Sequence, residues 1–421
     1  MINMKQAFYA DYIWYDSVLH KNSWLLTNNG IIEGIISDDS TALSSYEKKC
    51  FTNSAIFPGL INTHAHMAMS IFRGLADDLP LMTWLNDHIW PAEKRYVSPE
   101  FVYNYTMLSI AESIRSGVTC VNDMYFHGDY VAKAFRDSSI RGVVAFGIMN
   151  SPKNALLMAE NFEQDDFIKA SLAPHALYTV GPEAIAKCVD FASKKNLLLH
   201  THLAETVDET EQILAKYNKT PATLMNEIGA FDYKGSSFAH CVHLTDEEIS
   251  IMGNKNVNIS HCLESNLKLA SGFAPIKKLI DAGANVSIGT DGAASNNDQS
   301  IIGEMSTVSK FHKAFNCDAQ ALPAVQVLEM ATSNAAKALC FDKIGVLKQG
   351  NYADFCVLSF DAIHMTPVYN PISQLVYTAN NNDVTDVYVN GRPIMQDRNI
   401  LTIDEEKIKN TAKIMAKKIK G

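Results

Sequence analysis

The sequence predicts an α/β protein in which a (β/α)8 barrel carries a small β-sandwich built from both chain ends. Apolar runs suited to buried strands alternate with helix-patterned stretches through the middle of the chain, eight runs between Ile56 and Asp291. Such alternation gives a parallel sheet, and eight units can close it into a barrel. Both chain ends instead carry short β-type runs broken by Asn-Gly and Ser/Asp clusters, which is hairpin chemistry. Polar residues capable of chemistry fall at the C-terminal ends of the apolar runs, where barrels of this class place their active sites.

At 421 residues the chain has room for a large barrel and an attachment. Its 47% apolar and 19% charged content is that of a soluble globular protein. A net charge of −10 supplies no basic stripe to neutralise phosphates, so no nucleic-acid or membrane partner is expected. No apolar run reaches the roughly 18 residues that span a bilayer. The opening Met1-Ile-Asn-Met-Lys-Gln lacks a secretory leader pattern. Eight scattered cysteines with no CxxC pair read as buried, reduced thiols, and a cytoplasmic protein is the expectation.

Taken in order, residues 1–57 contain Tyr12-Ile-Trp-Tyr15 and Gly30-Ile-Ile-Glu-Gly-Ile-Ile36 as strand candidates. The barrel is expected over 58–342, its first strand at Ile56–Asn62. Ser98-Pro99 opens a helix closed by Gly117, an N-cap, a first-turn proline and a terminal glycine. Further strands are expected at Val118–Asp123, Ile140–Ile148, Ala170–His175 and Leu197–His202, the last after a helix begun by Gly181-Pro182. Ser236–His240 follows, then a capping box, Thr245-Asp-Glu-Glu248, opens a helix before Asn256–His261. Ala284–Asp291 completes the series. Residues 343–421 return to β texture at Gly345–Gly350, Ala353–Leu358 and Asp386–Arg392, and join 1–57 as one small domain. Glu405–Lys420 reads as an amphipathic terminal helix.

His64 and His66, two apart, point to one side of an extended segment and can grip one metal ion. His202 ends its strand and is followed by Glu205, a ligand beside a carboxylate base for a metal-activated water. Asp291, in Gly289-Thr-Asp-Gly292, is a candidate fourth ligand and proton acceptor, with a plain turn aspartate as the alternative. His240 could polarise the nucleophile or orient a leaving group; His243 lies beyond the strand end and is the poorer choice. His175 is a candidate for substrate contact. Glu93, by spacing alone, reads as a solvated helix-start residue. Three histidines and a carboxylate favour one Zn²⁺, and Fe²⁺ would also accept them. A two-metal site would need a modified lysine at the end of the fourth strand, where His175 stands and Lys169 does not. Walker GxxxxGK(S/T), HExxH and PCxxC patterns are absent.

With these residues in place, the chain resembles the amidohydrolase superfamily. The resemblance rests on Pro58-Gly-Leu-Ile-Asn-Thr-His-Ala-His66, His202-Leu-Ala-Glu205, Ala239-His-Cys-Val-His-Leu244, Gly289-Thr-Asp-Gly292 and the flanking Gly345-x-Leu-x-x-Gly-x-x-Ala-Asp-Phe355. Within it, the chain resembles 5-methylthioadenosine/S-adenosylhomocysteine deaminases, through Phe72–Asp78, Trp84, Pro91–Glu93, Asn122–His127 and Ser265–Gly272. The resemblance implies a metal-dependent hydrolase barrel whose His64, His66, His202 and Asp291 bind one zinc. It implies that Glu205 moves a proton between the attacking water and a ring nitrogen, and that His240 assists. His175 would contact the base or sugar, and Glu93 the ribose hydroxyls. It implies a nucleoside substrate and a homo-oligomer, dimer or tetramer. Members that take S-adenosylhomocysteine tend to carry arginines after the third strand, whereas residues 147–154 offer only Lys153. A smaller adenosine derivative is therefore expected. The alternative is another N-heterocycle, of guanine, pterin or chlorotriazine type.

Overall fold

The computed structural model describes residues 4–37 and 43–420; the leader reading at residues 1–3 and the Ser/Asp cluster at 38–42 lie outside them. The described strands are β1 (Lys5–Tyr15), β2 (Val18–Asn28), β3 (Ile31–Ser37), β4 (Glu47–Pro58), β5 (Leu60–Ala65), β6 (Val118–Tyr125), β7 (Arg141–Ile148) and β8 (Ile168–Pro174). They continue with β9 (Leu198–Leu203), β10 (Ser236–His240), β11 (Asn258–His261), β12 (Asn285–Ile288), β13 (Phe355–Ser359), β14 (Val384–Val389), β15 (Arg392–Gln396) and β16 (Asn399–Ile400).

Strands β5 to β12 lie side by side in chain order, each pair parallel, with helices in the connections. This is the expected barrel. The helix signals act as read: Ser98 Oγ accepts the Phe101 amide at 3.2 Å to start Pro99–Arg115, and the Thr245/Glu248 capping box is formed at both ends. The first barrel strand begins later than expected. Ile56 and Phe57 pair with Val357 and Cys356 in the other sheet, and the chain changes sheets at Gly59. A Cβ there would meet the Thr119 side chain at 2.1 Å, so the crossing requires glycine. The periodicity of Ile56–Asn62 misses this because both halves are buried.

The barrel closes between β12 and β5 by mixed bonding rather than a regular ladder. The Asp291 amide donates to the His64 carbonyl at 2.9 Å and Thr63 Oγ1 to the Ile288 carbonyl at 2.9 Å. Asn62 spans the gap twice, Nδ2 to Thr290 Oγ1 at 2.8 Å and Oδ1 from the Thr290 amide at 3.1 Å. At Gly289 a Cβ would meet His64 Cβ at 2.7 Å.

The two chain ends build the second sheet, order β16-β15-β14-β13-β4-β1-β2-β3. Its eight strands are hydrogen-bonded in one continuous order, and β13 against β4 is the join between the two chain ends, as the sequence led us to expect. Asn29-Gly30, at φ 50° and 80°, makes the predicted hairpin turn between β2 and β3. Phe8, Phe355 and Tyr388 fill one face with ring centroids 4.5–5.0 Å apart. Sheet and barrel are tied by an ion pair: Arg141 Nε meets Asp354 Oδ2 at 2.5 Å and Nη2 meets Oδ1 at 3.2 Å, both side chains 1% exposed.

Removing one partner leaves the other charge buried and unpaired, at a typical cost of about 3–5 kcal/mol. Asp354→Ala is expected to lower unfolding free energy by that amount in guanidinium titration; a loss of under about 1 kcal/mol, the scale of a surface pair, would contradict the clamp.

Candidate metal centre and active site

The strand ends bring His64, His66, His202, His240 and Asp291 together at the C-terminal mouth of the barrel. His64 Nε2 and His66 Nε2 lie 3.3 and 3.2 Å from the same oxygen, Asp291 Oδ1. His202 Nε2 is 3.3 Å from His66 Nε2. Two ligands about 2.1 Å from a tetrahedral zinc stand roughly 3.4 Å apart, so these spacings fit one ion. His240 belongs to the group too: single ligand atoms of His64, His202, His240 and Asp291 all lie within 4.8 Å of one another. Its Nε2, however, faces Glu205 Oε2 at 3.8 Å.

The outward nitrogens set the tautomers. His66 Nδ1 donates to the Met124 carbonyl at 2.5 Å, His202 Nδ1 to the His175 carbonyl at 2.8 Å, and His240 Nδ1 to Asn266 Oδ1 at 2.8 Å. Each Nε2 is then the ring atom turned to the centre, and the proton that the Asp291 carboxylate draws onto His66 is the one a bound cation would displace. His64 Nδ1 meets His200 Nε2 at 2.7 Å, and among the described residues the buried His64 Nε2 has no hydrogen-bond partner. Asp291 Oδ2 accepts from Ser265 Oγ and Ser295 Oγ, each at 2.7 Å, which leaves Oδ1 for the centre. Asp291 and His240 sit at φ 64° and 72°, left-handed conformations at strand ends that re-aim the side chains at a cost of about 1–3 kcal/mol each.

Electrostatics points the same way. Burial pulls His64 down to about 4, and burial also holds His202 well below the usual imidazole value. For His66 burial is outweighed by the Asp291 carboxylate, which holds it up at about 9. Asp291 itself stays well below the carboxylate range, because the two imidazoles override its burial. The cluster thus has one carboxylate shared by two imidazoles and retains a positive charge between them, the place of a cation. With imidazole and carboxylate donors and no thiolate, the donor set suits zinc or iron.

Glu205 follows β9 and is pushed up by burial, away from a freely ionised acid. Its amide donates to Glu209 Oε2 at 2.8 Å. Beside the centre lies a cavity open to solvent, about 760 Å³ with the solvent space at its mouth included. His175, His202, Glu205, His240 and Asp291 line one end, and Trp84, Leu85, Ile89, Trp90, Phe126 and Met149 form apolar walls. Glu93, on the helix Trp90–Tyr96, also faces this space, contrary to its reading from spacing as a solvated residue. Tyr125 Oη donates to Glu93 Oε1 at 2.6 Å, and burial raises the carboxyl. His175, neutral because burial drives it down to about 3, holds Nδ1 3.1 Å from Thr179 Oγ1. His243 bonds the Ser271 carbonyl at 2.7 Å and does not line the cavity. Lys169 turns away to the Cys340 carbonyl, and Lys153 is exposed. Among the described residues, no Lys or Arg lines the cavity.

Sequence reasoning assigned no role to His200, Tyr125, Ser265 or Asn266. His200 carried a signal, standing two before His202 on the same strand face, as His64 does before His66. The partners of the others lie far along the chain.

The profile of the Amidohydrolase family matches residues 55–394. A 5-methylthioadenosine/S-adenosylhomocysteine deaminase of Syntrophobacter fumaroxidans is 42% identical over 379 residues, covering 87% of this chain and 86% of that protein. A 5'-deoxyadenosine deaminase of Methanocaldococcus jannaschii is 43% identical, covering 86% and 88%. Among solved structures, an adenosine deaminase from Xanthomonas campestris with bound zinc superposes with a TM-score of 0.95 at 33% identity, over 99% of both chains.

Zinc is expected to bind at one equivalent. At 100 times its dissociation constant it should stabilise the fold by about 2.7 kcal/mol in thermal melts. Asp291→Ala is expected to remove that stabilisation; an undiminished zinc shift in the variant would place the ion elsewhere.

Proposed function

The chain belongs to the amidohydrolase family, and on that premise we propose that it is a zinc-dependent deaminase of adenosine derivatives with a small apolar 5' group. Water replaces the 6-amino group, giving the inosine analogue and ammonia. The observation that carries this reading is one cavity lined by a His/Asp group that could hold a cation, a buried acid, a second carboxylate and apolar walls. The similarity to deaminases of 5-methylthioadenosine, S-adenosylhomocysteine and 5'-deoxyadenosine supports it.

In this proposal His64, His66, His202 and Asp291 hold one zinc per subunit, with iron as the other metal the donors accept. Zinc supplies a Lewis acid and brings the pKa of a water down to about 7. Glu205 takes one proton from the attacking water and delivers it to ring N1, which makes C6 electrophilic as the water oxygen adds. Its raised affinity for protons, from burial, suits a group that must hold a proton between the two transfers. His240, with Nε2 3.8 Å from Glu205 Oε2, steadies the oxygen as the C–N bond breaks. The water's second proton leaves on ammonia. His175 contacts the base or sugar, and Glu93, its Oε1 held by Tyr125, accepts the ribose hydroxyls.

Substrate choice follows from the lining. The carboxylate of a homocysteine tail would want a cation, and the cavity provides none, whereas a methylthio or methyl group suits walls such as Trp84, Ile89 and Met149. For the guanine, pterin or chlorotriazine alternative, Glu93 would have no ribose to hold. Small and catalytic units (1–57 with 343–421, and 58–342) belong to the same proposal, as does a dimeric or tetrameric assembly. Eight free thiols support a reducing, cytoplasmic setting. Among the described residues, no helix is long and apolar enough to cross a membrane.

Two variants test the assignment. Glu205→Gln is expected to keep zinc and lose about 10²–10⁴-fold in kcat, measured as ammonia release; retention of most activity would overturn its role. Glu93→Ala is expected to lower kcat/KM on 5'-methylthioadenosine by about 10- to 100-fold, the worth of hydrogen bonds to a charged group at 1.5–3 kcal/mol. A 2',3'-dideoxy analogue should lose little, and equal losses on both would remove Glu93 from the ribose.

A further inference from the structure

Strand β9 points two histidines into the barrel, and the proposed mechanism uses only the second. His200, two residues before His202 and therefore on the same side, is 1% exposed and lies deeper in the barrel. Its Nε2 stands 2.7 Å from His64 Nδ1, and its own Nδ1 stands 2.6 Å from Ser237 Oγ on β10. The contacts form a chain, His64–His200–Ser237, that crosses the interior from β5 through β9 to β10.

A neutral imidazole carries its proton on one nitrogen and a lone pair on the other, so this chain has two possible directions. If Ser237 donates to His200, then His200 Nε2–H donates to His64 Nδ1, and His64 carries its own proton on Nε2. That proton would block the lone pair facing Asp291. If His200 Nδ1–H donates to Ser237, His200 Nε2 accepts from His64 Nδ1–H, and His64 Nε2 is free to bind a cation. The geometry at the far end selects the second direction. His64 Nε2 is fully buried, lies 3.3 Å from Asp291 Oδ1 and belongs to the group read as the cation site. A ligating nitrogen must turn its lone pair, not a proton, to the ion.

We propose that His200 is a positioning residue that fixes the tautomer of His64, working from inside the barrel as backbone carbonyls do for His66 and His202. His64 alone of the tetrad's histidines has a side chain in that role, because its Nδ1 faces the packed interior rather than a neighbouring strand end. The inference rests on the reading of His64 as a metal ligand.

The experiment measures zinc affinity by chelator competition at fixed pH, with thermal melts of the metal-free proteins as a check on folding. The proteins are the parent chain, His64→Ala, His200→Leu, His200→Gln and Ser237→Ala. His200→Leu is expected to lose about 10- to 100-fold in affinity, as is usual when the partner of a ligating histidine is removed. His200→Gln, whose side-chain carbonyl can accept from His64 Nδ1–H, is expected to recover most of that loss. Ser237→Ala should fall between. Nitrogen-15 spectra of the zinc-loaded parent should find the His64 proton on Nδ1. Equal affinities for the Leu and Gln variants, whether unchanged or equally weakened, would overturn the inference, as would an unprotonated Nδ1. Should His200→Leu fail to fold, Ser237→Ala and the nitrogen spectra decide. Zinc binding that survives His64→Ala would remove the metal-centre reading itself, a result separate from failure at His200 alone.

Discussion

The closure of the barrel between β5 and β12 is the constraint on which the site depends. No regular ladder joins these strands; the backbone bond from the Asp291 amide to the His64 carbonyl, at 2.9 Å, joins them together with the side chains of Asn62 and Thr63. The two residues that meet across the seam are also the two whose side chains begin the metal cluster. Gly289 allows the approach, since any side chain there would collide with His64. Fold closure and ligand assembly are therefore a single event. A chain that failed to close would separate His64 and His66 from Asp291 by the width of the barrel.

Closure alone would give a cluster of histidines with undefined protonation. The hydrogen bonds behind them supply the definition. Met124 and His175 carbonyls, Asn266 and the two serines on Asp291 each take up the atom that faces away from the centre. What remains inside is a set of imidazole nitrogens around one carboxylate oxygen, an arrangement that could hold a cation. The same strand ends form one end of the cavity, so the atom to be attacked and the groups that move its protons share a wall.

The barrel and its chemistry were legible in the sequence because both are written locally. Strand runs with their chemistry at the C-terminal end, and pairs two residues apart on a strand face, need no knowledge of the rest of the chain. His64, His66, His202 and Asp291, which the structure brings together, and Glu205, which lines the same cavity, were all singled out this way. Features that depend on a distant partner were not legible. From spacing alone Glu93 read as solvated, and only the resemblance gave it a role; Tyr125, 32 residues later, is the partner that holds it at the cavity. Asp354 stood in a quoted motif without a reason, which its buried pairing with Arg141 supplies. The expected boundary at 57/58 falls within two residues of the change of sheet at Gly59, but the strand run Ile56–Asn62 hid the exact point because residues on either side are equally buried. The strand order of the terminal sheet was not legible for a related reason: hairpin signals announce strands but not which strands pair.

The central claim is that one cation site and one buried acid serve an adenine ring whose 5' end lies among apolar walls. Ammonia release by zinc-loaded protein, measured side by side on 5'-methylthioadenosine, adenosine, S-adenosylhomocysteine, guanine and a chlorotriazine, with chloride release followed for the last, tests it most directly. The account predicts zinc-dependent turnover of the adenosine derivatives, with 5'-methylthioadenosine preferred over S-adenosylhomocysteine. Turnover confined to guanine or the chlorotriazine, or deamination undiminished after the metal is stripped, would contradict it.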